Sequence, residues 1–152
     1  MIHEEICTYE VCKLAKEKGF NCKVYNYYQA NKHYCETLRG IELHSVCWKL
    51  ETDDCYNRYN KSSEDVVSAP TQSLLQRWLR EEKGIVVEII AQPTRSTSKK
   101  NCYWWSVKQN SNGFCYQYEE CSYLLYSDEG YYDTYELALE NALKYALENC
   151  IV

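Results

Sequence analysis

Proline and glycine are scarce in this chain, which has two prolines and five glycines among 152 residues. Disordered chains are usually poor in apolar residues, whereas 45% of this sequence is hydrophobic. The composition therefore excludes a mainly disordered protein. It predicts a globular one, and the chain is long enough to bury a core.

Long apolar runs are also missing. No stretch of eighteen or more apolar residues occurs, which excludes a transmembrane helix. The opening Met-Ile-His-Glu-Glu lacks the basic and apolar regions of a signal peptide. We therefore expect a cytoplasmic protein without a membrane partner.

Organised catalytic motifs are absent as well. The sequence contains no Walker loop, no Gly-x-Gly-x-x-Gly and no His-Glu-x-x-His. Its thiols and imidazoles offer many Cys–His combinations, but no glycine-flanked nucleophile turn accompanies them. The adjacent carboxylates Asp53-Asp54 and Glu119-Glu120 lie in acidic polar stretches, which is typical of solvated charges. We expect no cofactor, and a binding protein rather than an enzyme.

Cysteine, in contrast, is abundant, with ten residues. An even count suits a disulfide framework, but the missing signal peptide and the ample apolar content favour free, buried thiols. Two His–Cys pairs are weak metal candidates: His33, Cys35, His44 and Cys47. Zinc usually takes four such ligands from two tight turns, whereas each pair here lies in a predicted strand. Since only residues i and i+2 share a strand face, core thiols and surface histidines are the favoured interpretation.

Helical periodicity predicts three helices. The last covers 133–150, where an apolar stripe runs from Tyr135 to Leu147 and either Asp133 or Thr134 is the cap. The first covers 8–18 and stops at Gly19. The second opens at 68–71 and ends at Gly84.

Strand composition predicts a mainly antiparallel sheet. The most apolar strand, 85–91, is expected in its middle, and Asn-Ser-Asn-Gly at 110–113 predicts a hairpin. The other predicted strands are 21–29, 33–38, 41–50, 102–108, 114–118 and 122–126.

These elements predict one α+β domain over 1–152, in which about three helices pack on one face of the sheet. Its halves are approximately 1–50 and 69–152, linked by the polar segment 51–68. Both halves contain a helix, a Lys-Gly stop and a following strand. This similarity fits two related helix–strand–strand halves, and a chance match stays open.

Charge and aromatic residues point to one candidate binding segment. Residues 70–113 carry seven basic and three acidic groups, whereas 114–152 carry one and eight. Phosphate binding would therefore have to come from the middle of the chain. The candidate binding residues there are Tyr103, Trp104, Trp105, Arg95, Lys99 and Lys100. Because Trp104 and Trp105 alternate on a strand, one of them must meet the core, and an exposed partner suits a protein as well as a nucleic acid.

Three segments together resemble a known group. They are TYEVCKLAKEKGF at 8–20, APTQSLLQRWLREEKGIVVEI at 69–89 and DTYELALENALKYAL at 133–147. They are similar to small, largely uncharacterised proteins from phages and prophages of gut Bacteroidota. The resemblance implies an origin and a bacterial cytoplasmic location, and no activity.

We therefore expect a non-enzymatic interaction protein of phage or prophage origin, which binds a host or defence protein or associates with itself. Two alternatives stay open. One is a ligand-sequestering protein or small enzyme with a pocket lined by Tyr and Cys. The other is a single-stranded nucleic-acid binder that uses 95–105, which the acidic C-terminal third disfavours.

Overall fold

The computed structural model describes residues 4–30, 41–45, 66–92, 102–111, 114–118 and 132–151. These residues contain three helices and six strands and form an α+β fold with antiparallel sheets, as predicted. The helices are α1 (Tyr9–Glu17), α2 (Gln72–Glu82) and α3 (Tyr135–Asn149). The strands are β1 (Asn26–Ala30), β2 (Ile41–Ser45), β3 (Val66–Ser68), β4 (Ile85–Gln92), β5 (Cys102–Ser111) and β6 (Phe114–Tyr118).

The chain divides into two compact units, Met1–Thr71 and Gln72–Val152. The first contains α1 and the strands β1 to β3, and the second contains α2, α3 and the strands β4 to β6. None of the helices in the described part of the chain has the length and apolarity needed to cross a bilayer.

The first unit is built on a three-stranded antiparallel sheet in the order β2-β1-β3. Tyr28 in the central strand stands opposite Leu43 of β2 and opposite Val67 of β3. Strand β3 comes from 66–68, the end of the predicted linker, where two β-branched valines pair with β1. The predicted strand at 21–29 begins only at Asn26, because the pairing with β2 and β3 begins there.

Helix α1 is held to this sheet by polar and aromatic contacts. The Tyr9 ring meets the Tyr28 ring edge-on at 5.8 Å, and the Tyr28 hydroxyl donates to the Cys7 carbonyl at 2.9 Å. Lys16 Nζ donates to the Val66 carbonyl at 2.8 Å. The buried side chains of the helix are Val11, Cys12 and Ala15.

The predicted stop of α1 at Gly19 is confirmed. Gly19 has a φ of 87°, a conformation that residues with a Cβ rarely adopt. Its N–H donates to the Lys16 carbonyl at 3.1 Å, and the Phe20 N–H donates to the Ala15 carbonyl at 2.8 Å. These two bonds form a Schellman motif, so the last carbonyls of α1 are satisfied.

The second unit contains a three-stranded antiparallel sheet in the order β4-β5-β6. Residues Ser111 and Phe114 stand opposite each other at the end of β5 and the start of β6. This pairing confirms the predicted hairpin, although residues 112–113 lie outside the described part of the chain. In the first unit β1, the strand that follows α1, is central, whereas β4, which follows α2, is at an edge among the described strands. The described parts of the two sheets therefore differ in strand order.

Helix α3 packs on the second sheet and confirms most of the predicted stripe. Its buried side chains are Ala138, Leu139, Ala142, Leu143, Ala146 and Leu147. Tyr135 is the exception, because it lies in the first turn and is 42% exposed. The Thr134 side chain is the N-cap and accepts a hydrogen bond from the Leu137 N–H at 3.1 Å.

Helix α2 contacts both β4 and α3. Gln72, which is 6% exposed at the start of α2, donates through Nε2 to the Glu136 carbonyl at 3.1 Å and to the Glu140 carboxylate at 2.8 Å. A buried amide rarely remains without partners. These bonds therefore tie the start of α2 to the first two turns of α3.

The prediction that residues 85–91 form a middle strand is wrong for the described sheet. Among the described strands, β4 pairs with β5 alone and lies at the edge of the order β4-β5-β6. Its apolar composition has another cause, because α2 and α3 both pack against it. The predicted strands 33–38 and 122–126 and the predicted strand end 46–50 lie outside the described residues.

Candidate functional site

The two faces of the second sheet differ in exposure. Directly opposite residues in an antiparallel pair share a face, so odd-numbered residues of β4 and β5 lie on one face and even-numbered residues on the other. The odd-numbered residues Ile85, Val87, Trp105 and Val107 are all at most 4% exposed. Rings of α3 contact this face, which we call the helix face.

The even-numbered side is the candidate site. We call it the outer face; its residues include Val86, Glu88, Ile90, Cys102, Trp104, Ser106 and Lys108, of which Ser106 is buried. Ile90 is 37% exposed, and Val86 and Trp104 are half-buried. Trp104 stands directly opposite Ile90, so an aromatic and an aliphatic side chain lie next to each other at one end of the face.

An ion pair occupies the centre of the outer face. Lys108 Nζ donates to Glu88 Oε2, and the Ser106 hydroxyl donates to the same oxygen at 3.3 Å. The hydrogen bond from Lys108 is the main reason that the pKa of Glu88 lies below its usual value of 4.5. The charge of Lys108 and the Ser106 hydroxyl lower this pKa further, whereas partial burial opposes the shift. The carboxylate therefore stays ionised, and the two charges balance.

This arrangement is poorly suited to acid–base chemistry near neutral pH. A carboxylate with a lowered pKa is a weak general base near neutral pH. It also leaves Ser106 without a strong proton acceptor, because the same carboxylate oxygen is already held by an ammonium group.

The three aromatic candidates do not form one stacking surface. Trp105 is 3% exposed and lies under α3, where its ring is 5.0 Å from that of Tyr145. Its indole N–H donates to the Tyr132 hydroxyl at 3.5 Å. Tyr103 is half-buried on the same face and meets the Tyr135 ring edge-on at 6.2 Å. Only Trp104 reaches the outer face, which agrees with the predicted alternation.

The basic candidates Arg95, Lys99 and Lys100 lie outside the described residues. The cation that the structure does place on the outer face is Lys108, which the sequence did not single out. The spacing in the sequence could have identified Lys108, because Lys108 and Trp104 are four residues apart on one strand and therefore share a face.

The weak metal candidates are only partly described. His33, Cys35 and Cys47 lie outside the described residues. His44 lies in β2, where its ring stacks on that of Tyr27 at 5.2 Å with an interplanar angle of 20°. Within the described ranges, no three His, Cys, Asp or Glu residues come together as metal ligands would.

Within the described part of the chain, five cysteines are thiols outside any disulfide bond: Cys7, Cys12, Cys22, Cys102 and Cys150. Cys7, Cys12 and Cys150 are buried. The Cys12 thiol donates to the Cys7 carbonyl at 3.5 Å, and burial raises the pKa of the Cys150 thiol. Buried thiols pack as small apolar side chains. A thiol that stays protonated is also a poor nucleophile.

Comparison of the chain with protein families, with curated proteins and with solved structures finds no match in any of the three.

Proposed function

We propose that this chain is a non-enzymatic interaction protein of phage or prophage origin, which binds a host or defence protein in the bacterial cytoplasm through its outer face. The segments 8–20, 69–89 and 133–147, which resemble phage and prophage proteins, support the origin. One observation supports the binding site: Trp104 stays half-buried beside the exposed Ile90, and both lie next to an ion pair that is already satisfied.

The energetics of this face favour a protein partner. Tryptophan is among the residues that contribute most to protein interfaces, because it buries a large area at low entropic cost. The Glu88–Lys108 pair can be covered by a partner without leaving an unpaired charge, which would otherwise be costly. A partner of matching shape therefore gains apolar burial without stranding either ion.

Nucleic-acid binding has less support. Stacking platforms for single strands use several aromatic rings and free basic groups. Here Trp105 is buried, and Lys108 is paired with Glu88. Retention of single-stranded DNA at low salt, weakening steeply as salt rises, would favour this alternative instead.

The test is quantitative capture of partners from lysate of a gut Bacteroidota strain. The tagged wild-type chain is compared with Trp104→Ala and with the control Tyr25→Ala, which removes an aromatic ring that is 66% exposed in the first unit. We expect one protein to be retained by the wild type and by Tyr25→Ala. Trp104→Ala should bind that protein about 30-fold more weakly, the loss expected for a residue that contributes about 2 kcal/mol.

Circular dichroism and the melting temperature establish that both variants are folded. Equal retention of the same protein by Trp104→Ala and Tyr25→Ala would exclude the outer face as the binding site. Capture of no specific protein by the wild type would contradict the proposed function itself.

A further inference from the structure

The outer edge of β4 carries backbone groups whose direction can be worked out. Along an antiparallel strand, alternate residues direct their N–H and C=O towards one neighbour and then towards the other side. Tyr103 in β5 exchanges both backbone hydrogen bonds with Tyr132, at 3.0 and 2.9 Å, and so does not bond to Ala91, its opposite residue in β4. Ala91 therefore directs its N–H and C=O away from β5, as does every second residue before it.

A second observation agrees with this alternation. Gln76 of α2 donates through Nε2 to the Val87 carbonyl at 2.9 Å, so the Val87 carbonyl faces away from β5. Helix α2 thus covers the edge at Val87. Further along, Ile89 and Ala91 also direct their backbone groups outwards.

The edge that remains consists of Ile89 and Ala91, and we call it the open edge. Within the described part of the chain, no residue bonds to the outward N–H and C=O groups of these two residues. Ala91 is exposed, and the Ile90 side chain between them is 37% exposed. Unpaired groups at a strand edge are a template for pairing with another strand.

We propose that the open edge pairs with the open edge of a second copy of this chain, antiparallel about a two-fold axis at Ile90. In this register Ile89 faces Ala91 of the second copy, and Ala91 faces Ile89 of the second copy. Each pair exchanges two hydrogen bonds, so all outward groups of the open edge are satisfied. The two Ile90 side chains meet at the axis, at a non-hydrogen-bonded position where side chains approach most closely.

Charge and symmetry favour a second copy over an unrelated strand. Glu88 is the one charged residue of β4, and in this register it stands opposite residue 92 of the second copy, an uncharged glutamine. Glu88 is also neutralised by Lys108 within its own chain, so like charges do not meet at the axis. Because the same edge is used twice, the pairing closes as a dimer and does not propagate into a fibre.

The size of the contact sets its strength. Stable dimers bury at least about 1,200 Å² of surface, and a pairing through three residues of each copy covers less. The dimer should therefore form in a concentration-dependent way and dissociate on dilution. This inference does not depend on the proposed function, because the edge pairs without any second protein.

The test is sedimentation equilibrium of the full chain from micromolar to millimolar concentration, with reductant present to keep the thiols free. Ala91→Pro removes one outward N–H but no bond to β5, and Pro is tolerated at such edge positions. The matched control Ala91→Val keeps the N–H. We expect the wild type and Ala91→Val to dimerise and Ala91→Pro to bind itself at least tenfold more weakly. Ile90→Lys, which places two ammonium groups at the axis, should weaken the dimer similarly. It replaces Ala91→Pro as the test variant if Ala91→Pro does not fold.

Hydrogen exchange supplies an independent measure. The amides of Ile89 and Ala91 should exchange more slowly as concentration rises, because they become bonded only in the dimer. A wild type that stays monomeric over the whole range would overturn the proposal. So would a dimer that the folded Ala91→Pro or Ile90→Lys variant leaves equally strong.

Discussion

Replacing Leu143 with alanine should remove much of the packing that holds α3 on the second sheet. The Leu143 side chain is fully buried. Losing three carbon atoms at about 0.8 kcal/mol each gives about 2.4 kcal/mol, and the cavity left behind raises the cost to roughly 3–4 kcal/mol. Because small domains are stable by only about 5–15 kcal/mol, this one change should remove a large share of the stability.

The measurement is urea unfolding followed by tryptophan fluorescence. Trp78 and Trp105 are both 3% exposed and belong to the second unit, so their emission should shift to the red when it unfolds. Leu137→Ala is the matched control, since Leu137 lies in the same helix and is 50% exposed. It should cost at most about 0.5 kcal/mol. If the two variants lose equal stability, α3 does not dock as described.

Two further predictions concern single polar contacts. Thr134→Ala should cost about 1 kcal/mol in urea unfolding, because it removes the cap on the Leu137 N–H, whereas Thr134→Ser keeps the hydroxyl and should cost less. The stability of the wild type should fall as pH drops from about 4.5 through the lowered pKa of Glu88, because only the ionised carboxylate keeps its bond to Lys108. Glu88→Gln should lose this part of the pH dependence, at most about 1 kcal/mol since the pair is partly exposed; equal acid sensitivity in both proteins would contradict the assignment.

The helices were predictable from sequence because their signals are local. A threonine before each of α1 and α3, and a glycine after each of α1 and α2, mark these ends to within one or two residues. The Asn-Gly signal for the hairpin between β5 and β6 is local in the same sense. In each case the residues that define the boundary lie next to it in the chain.

The position of β4 could not be predicted, because strand composition reports burial and does not identify the neighbouring strand. The run from Ile85 to Ala91 is apolar because two helices cover it, and the sequence gives no turn signal that fixes its register with β5. The Glu88–Lys108 pair depends on that register. It was therefore missed.

Only part of the candidate site could be predicted from the sequence, for a similar reason. Because residues alternate along a strand, one of Trp104 and Trp105 had to meet the core. The sequence did not show which, since both are tryptophans and suit the helix face and the outer face equally. The choice is made by α3, which places Tyr145 against Trp105. The bridge between Tyr103 and Tyr132 joins residues far apart in sequence, so no local pattern revealed it.

Site-specific photo-crosslinking in living bacteria tests binding through the outer face most directly. A photoreactive phenylalanine analogue replaces Trp104 on that face or, as the control, Tyr25, which is 66% exposed in the first unit. We expect a discrete adduct with one bacterial protein from position 104 and none of that mass from position 25. The same adducts from both positions, or none from position 104, would contradict an interaction through the outer face.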